Sequence, residues 1–133
     1  MEKTKIRFPH TPTVSQGSTQ IMATAYDRAT AYTFTGYYPP IGNIDAYALF
    51  DQMLSGVSAY PYSVLYHSIY ENTSGNLVLE YTAQDGYRNY IVRSLTVVTP
   101  FNAYTLQCVH PLGAYERYTY FRDSFYIYCE CGN

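Results

Sequence analysis

Apolar and polar positions change period several times along the chain, and each change marks an element. Ile6 and Phe8 sit at strand spacing within Lys3–Phe8, before Pro9 and Pro12 end the run. Two short alternating segments follow, Ile21–Asp27 and Ala31–Tyr38, and Asp27-Arg28-Ala29-Thr30 between them is short enough for a hairpin. Beyond the Pro39-Pro40-Ile41-Gly42 loop the period lengthens to about 3.6, with Tyr47, Phe50, Leu54 and Val57 on one face and Met53 beside it. Asn43 reads as an N-cap and Asp45 suits the positive helix start, so a helix is predicted over Asp45–Gly56.

After Tyr60-Pro61 the period returns to two. Val64, Tyr66, Ser68 and Tyr70 alternate with Leu65, His67 and Ile69, and the turn Asn72–Asn76 leads into a strand over Leu77–Thr82. Gln84-Asp85-Gly86 is the strongest hairpin signal and opens a long strand over Tyr87–Val98. Thr99–Asn102 makes the next turn, Ala103–Val109 the next strand, and Pro111-Leu112-Gly113 a break. A short helix is predicted over Tyr115–Phe125, with Tyr118, Phe121 and Phe125 on one face, and Tyr126–Cys131 alternates as an edge strand. The pattern predicts an α+β fold, a central antiparallel β-sheet flanked by helices, with residues 1–133 as a single domain. Leu77, Leu79, Ile91, Leu95 and Leu106, or their alternates, are the expected core beneath the helices.

Composition narrows the class. Aromatic residues make up 18% of the chain, 18 Tyr and 6 Phe without Trp, which excludes a disordered chain. Charged residues are only 14%, and a net charge of −2 argues against a general nucleic-acid binder. No apolar run approaches the ~20 residues of a membrane span.

The order of elements resembles the PsbP-like superfamily, in its small bacterial lipoprotein-type form. The pieces that carry the resemblance are Arg7-Phe8-Pro9, Gly75–Tyr81, Arg88 and Arg93, Tyr104-Thr105-Leu106, Pro111-Leu112-Gly113 and Phe121-Arg122-Asp123-Ser124-Phe125. They run in order over nearly the whole chain, whereas Cys129-Glu130-Cys131 and the tyrosine load depart from the pattern. The resemblance implies an α/β/α sandwich whose members act mostly as binding or assembly factors on other proteins. It also implies export to the periplasm or cell surface, with the leader missing ahead of Met1 and room for a lipid anchor in the native precursor. A cytoplasmic protein with reduced thiols is the alternative.

Candidate chemistry centres on Cys108, His110, Cys129 and Cys131. Cys108 and His110 are two apart on one predicted strand and share a face, as Cys129 and Cys131 would, so the four could form a Cys3His metal tetrahedron. The spacing lacks the tight C-x2-C turn of most zinc sites, and the three cysteines fit a disulfide from Cys108 to Cys129 or Cys131 better than a metal. No nucleotide-binding loop, nucleophile elbow or H-E-x-x-H motif is present, and the aspartates fall at turns and helix surfaces. Neither a catalytic residue nor a cofactor is therefore assigned.

The tyrosines point elsewhere. Eighteen phenols cannot all find buried partners in a chain this size, so some must face solvent, where tyrosine offers rigid contact area. The expectation is a non-catalytic protein-interaction or assembly module that docks a protein partner, not nucleic acid, through Tyr115, Tyr118 and Tyr120. Its rival is a small metal-binding or thiol-dependent protein using the four Cys and His residues.

Overall fold

The computed structural model describes residues 2–129, which contain nine strands and two helices. In chain order these are β1 (Glu2–Lys5), β2 (Thr13–Gln16), β3 (Gln20–Asp27), β4 (Thr30–Tyr37), α1 (Ala46–Ser58), β5 (Tyr62–Glu71), β6 (Leu77–Asp85), β7 (Tyr90–Val98), β8 (Ala103–Pro111), α2 (Tyr118–Asp123) and β9 (Tyr126–Cys129). Seven strands form one antiparallel sheet in the order β2-β3-β4-β8-β7-β6-β5, and β1 pairs with β9 in a separate ribbon.

The expected α+β sandwich, a central sheet flanked by helices, is corrected by this count: strands hold 51% and helices 15%. One helix of 13 residues lies on one face, whereas the other face is covered by the β1–β9 ribbon, the Ile6–Phe8 segment and the six-residue α2. The protein is mostly β. No described helix is long and apolar enough to cross a membrane.

Period-two alternation splits the core between the faces. Leu79, Tyr81, Ala83, Val92 and Ala103 pack with Phe50 of α1, and Val78, Leu95, Val97, Leu106 and Cys108 pack with Phe121 of α2. Leu77 and Leu79 therefore serve one core while Leu95 and Leu106 serve the other, so the five core residues read from the sequence do not share a face. Each fully buried Leu, Val or Phe contributes about 1.5–3 kcal/mol relative to exposure.

Local chemistry sets the boundaries. Asp45, not Asn43, caps α1 by accepting from Ala48 N at 3.1 Å. Asn43 has φ +49° and follows Gly42 at +60°, in a turn whose Gly42 N–H donates to Phe101 O at 3.0 Å. The long strand predicted from Tyr87 starts at Tyr90 because Asp85 Oδ1 takes the N–H groups of Tyr87 (2.9 Å) and Arg88 (3.3 Å), holding a four-residue turn. β2 is fully exposed, so it lacks the alternation that would have revealed it. The tail segment predicted as an edge strand pairs with β1 as β9, and its residues beyond Cys129 lie outside the described chain.

Candidate functional site

The helix predicted over Tyr115–Phe125 begins only at Tyr118, and the reason builds a surface. Thr30 Oγ1 donates to Tyr115 O at 2.8 Å, and Arg117 N donates to Tyr32 Oη at 2.8 Å. Thr30 and Tyr32 are buried in β4 at 1% and 0% exposure, so both anchors are rigid and the backbone there is committed before helical turns can form. The anchored segment turns Tyr115 and Arg117 outward, and α2 adds Tyr120.

Guanidinium groups lie on both exposed rings. Arg28, at φ +58° in the β3–β4 hairpin turn, stacks over Tyr115 at 4.3 Å, and Arg117 stacks over Tyr120 at 4.4 Å. Arg7 joins them because its N–H donates to Ser124 Oγ at 2.9 Å, which ties the segment after β1 to the end of α2. Arg7, Phe8, Pro9, Arg117 and Tyr120 wall a cavity of about 170 Å³ with Tyr32 and Phe121 also in its lining.

The charges of this surface are unspent. Arg7, Arg28 and Arg117 are exposed, and among the described residues none lies within ion-pair distance of a carboxylate. Arg93 and Arg122 differ, with Glu116 at 3.9 Å from Arg93 and with Glu80 at 3.2 Å and Asp123 at 3.0 Å from Arg122. No Lys or Arg occurs between Arg28 and Arg88, so α1 carries Asp45 and Asp51 at its start and exposed side without a cation. Stacking on a tyrosine fixes a guanidinium plane while leaving its edge N–H groups to meet a carboxylate.

Of the three tyrosines expected to contact a partner, two are on this surface. Tyr115 is 50% exposed and Tyr120 52%, but Tyr118 is 7% exposed and belongs to the core around Phe121. Tyr118 cannot present contact area. Its hydroxyl has no hydrogen-bond partner among the described residues, and burial pushes its ionisation upward, reinforced by Glu80.

The alternative set is divided. Cys108 and His110 share a face of β8 as expected, and both are buried. Arg93 Nε donates to His110 Nε2 at 3.2 Å, which places the ring hydrogen on Nδ1, 2.9 Å from Pro111 O. Both ring nitrogens are thus engaged and neither presents a lone pair to a metal. Cys129 is exposed on the ribbon, Cys131 lies outside the described residues, and no described group of three or more His, Cys, Asp or Glu could hold a metal ion.

Burial, reinforced by Glu116, pushes the Cys108 thiol up to about 12, far from a reactive thiolate. Alkylation of the native protein at pH 8 is expected to leave Cys108 unmodified and to reach it after denaturation. Peptide mapping before and after denaturant checks this, and rapid native labelling of Cys108 would contradict it.

Alkaline pH is expected to destabilise the fold. Burial, with help from the Glu80 carboxylate that its hydroxyl meets at 2.6 Å, pushes Tyr70 up to about 12. Tyr104 is pushed up likewise by burial and then by Glu2. The unfolded chain releases these protons near the ordinary values of 9 for cysteine and 10 for tyrosine, before the folded chain does. Their stabilisation is complete below those values and is lost as pH climbs toward 12. Urea midpoints measured from pH 8 to 11 should fall above pH 9, and a flat profile would contradict this.

A second concavity of about 680 Å³ lies between the β5–β6 turn and the ribbon, with Val78, Leu95, Val97, Phe125 and Ile127 among its lining residues. Its charged groups are engaged with one another: Tyr70 and Arg122 both meet Glu80, and Arg122 also meets Asp123. Neither a family model, nor a curated protein, nor a solved structure matches this chain. The Arg7–Arg28–Arg117 set was not assigned from the sequence. Its signal was the arginine in the predicted hairpin turn at position 28, but nothing in the chain order said that it would lie over Tyr115 or that residues 7 and 117 would line one cavity.

Proposed function

We propose that the protein is a non-catalytic interaction module that captures an acidic segment of a protein partner on the arginine–tyrosine surface. The observation that carries this reading is the pair of guanidinium–tyrosine stacks, Arg28 on Tyr115 and Arg117 on Tyr120, whose charges meet no carboxylate among the described residues. Preformed stacks spare a partner the entropy of ordering two arginines, so their N–H groups meet carboxylates in a fixed array. Tyr115 and Tyr120 add contact area beside them, and the cavity beside Phe8 and Pro9 would accept an apolar side chain of the same segment.

The test is a titration of the labelled protein with a synthetic peptide of alternating glutamate and tyrosine, followed by NMR. Shifts should concentrate at residues 7–9, 28 and 115–120 and shrink as salt rises from about 50 to 300 mM, because exposed charge attraction is screened over about 10 Å at 0.1 M. Shifts centred elsewhere would contradict the proposed surface. Tighter binding of a thymidine oligonucleotide than of the peptide would contradict the partner class, since aromatic–arginine surfaces also stack single strands.

A further inference from the structure

The two edges of the seven-stranded sheet are treated very differently by the chain. The β2 edge has four residues and follows Pro9 and Pro12, the usual way of blunting an edge against pairing. The β5 edge has ten residues, with no Lys, Arg or Pro within it, and exposes Leu65 (57%), Tyr66 (57%), Ile69 (40%) and Tyr70 (39%). Alternate residues of β5 turn their backbone N–H and C=O groups away from β6, where no further described strand meets them.

We infer that β5 is a homodimer interface, pairing antiparallel with β5 of a second copy about a two-fold axis through His67. The strand's register on β6 defines its alternation: Tyr62, Val64, His67, Ile69 and Glu71 stand opposite Asp85, Ala83, Tyr81, Leu79 and Leu77, with Leu65 as the extra residue of a bulge. A two-fold axis at His67 then pairs Val64 with Ile69 of the second copy and Tyr62 with Glu71 of the second copy. Every such pair lies on one face, as pairing requires. A slip of one residue in register would break that match, and an axis on a neighbouring residue would move Glu71 away from Tyr62.

Charge chooses the second copy as occupant. Glu71 is the only acid of β5, and it has no ion pair among the described residues. Arg88 likewise has none, and it lines one cavity together with Tyr62 at the opposite end of the strand. The two-fold axis brings Glu71 of each copy to the Tyr62 end of the other, where Arg88 stands, so one pairing supplies both missing partners twice. Such a dimer consumes the open edge, so assembly stops at two copies.

Sedimentation equilibrium over 1–200 µM gives the test. The wild-type protein should form a dimer and nothing larger. His67→Lys sets two ammonium groups against each other on the axis and should leave a monomer with an unchanged circular-dichroism spectrum. Glu71→Arg and Arg88→Glu should each weaken the dimer roughly tenfold, and the double exchange should restore it, as expected for an interacting charge pair. Ile69→Lys, at an exposed position, gives a second monomer-forming variant should His67→Lys misfold. A monomeric wild-type protein at 200 µM, growth beyond the dimer, or a dimer indifferent to these changes would overturn the inference.

Discussion

Phe121→Ala is expected to cost about 3–5 kcal/mol of stability, the usual range for truncating a buried phenylalanine. Phe121 is 1% exposed, and its ring meets Phe8 at 5.2 Å and Tyr32 at 5.2 Å in tilted and edge-on contacts. It joins three separate pieces of chain, the post-β1 segment, β4 and α2, so the void cannot close by moving one of them. The loss should also reach the surface above. Tyr32 positions Arg117 through its hydroxyl, and a shifted Tyr32 ring loosens the Arg117–Tyr120 stack. Urea denaturation should show the midpoint falling while the slope stays fixed, and a loss below about 1 kcal/mol would mean that Phe121 is not the pin described.

Phe50→Ala is expected to cost a similar 3–5 kcal/mol on the opposite face. Phe50 is fully buried and is the only buried residue of α1, which otherwise packs with half-covered side chains such as Leu49, Met53 and Leu54. One ring therefore holds the helix to Leu79, Tyr81 and Ala83 of β6. Unlike Phe121→Ala, this change should leave peptide binding at the arginine–tyrosine surface intact wherever the protein stays folded. A loss of binding in folded Phe50→Ala would show that the two faces are coupled in a way the packing does not provide.

The sheet was legible in the sequence where one side of a strand is buried. β3, β4, β6 and β8 follow period-two runs whose bounds move by a few residues at most, and the 3.6 period around Phe50 marks α1. The proportion of helix was not legible. A run such as Tyr118–Phe125 has helical spacing, yet the hydroxyls of Thr30 and Tyr32, 85 residues away along the chain, hold the preceding turn open. β2 carried no signal because nothing covers it. For the site, Tyr115, Tyr118 and Tyr120 were expected together on a partner-facing surface; Tyr115 and Tyr120 are exposed, whereas Tyr118 turns inward because α2 needs one aromatic face in the core. The arginines were harder, because a cation's meaning depends on which carboxylates stand near it in space.

The proposed capture of acidic protein segments depends on ring-stacked arginines that meet no carboxylate among the described residues. Calorimetric titration of the glutamate–tyrosine peptide into wild type and into the Arg28→Glu/Arg117→Glu double variant measures it most directly. Both positions are exposed, so the variant should keep its fold, checked by an unchanged urea midpoint. Reversing two charges turns attraction into repulsion at both stacks, and affinity should drop by at least about a hundredfold, each reversal being equivalent to about 1.4 kcal/mol or more. Equal affinity in the folded double variant and the wild type would contradict the account.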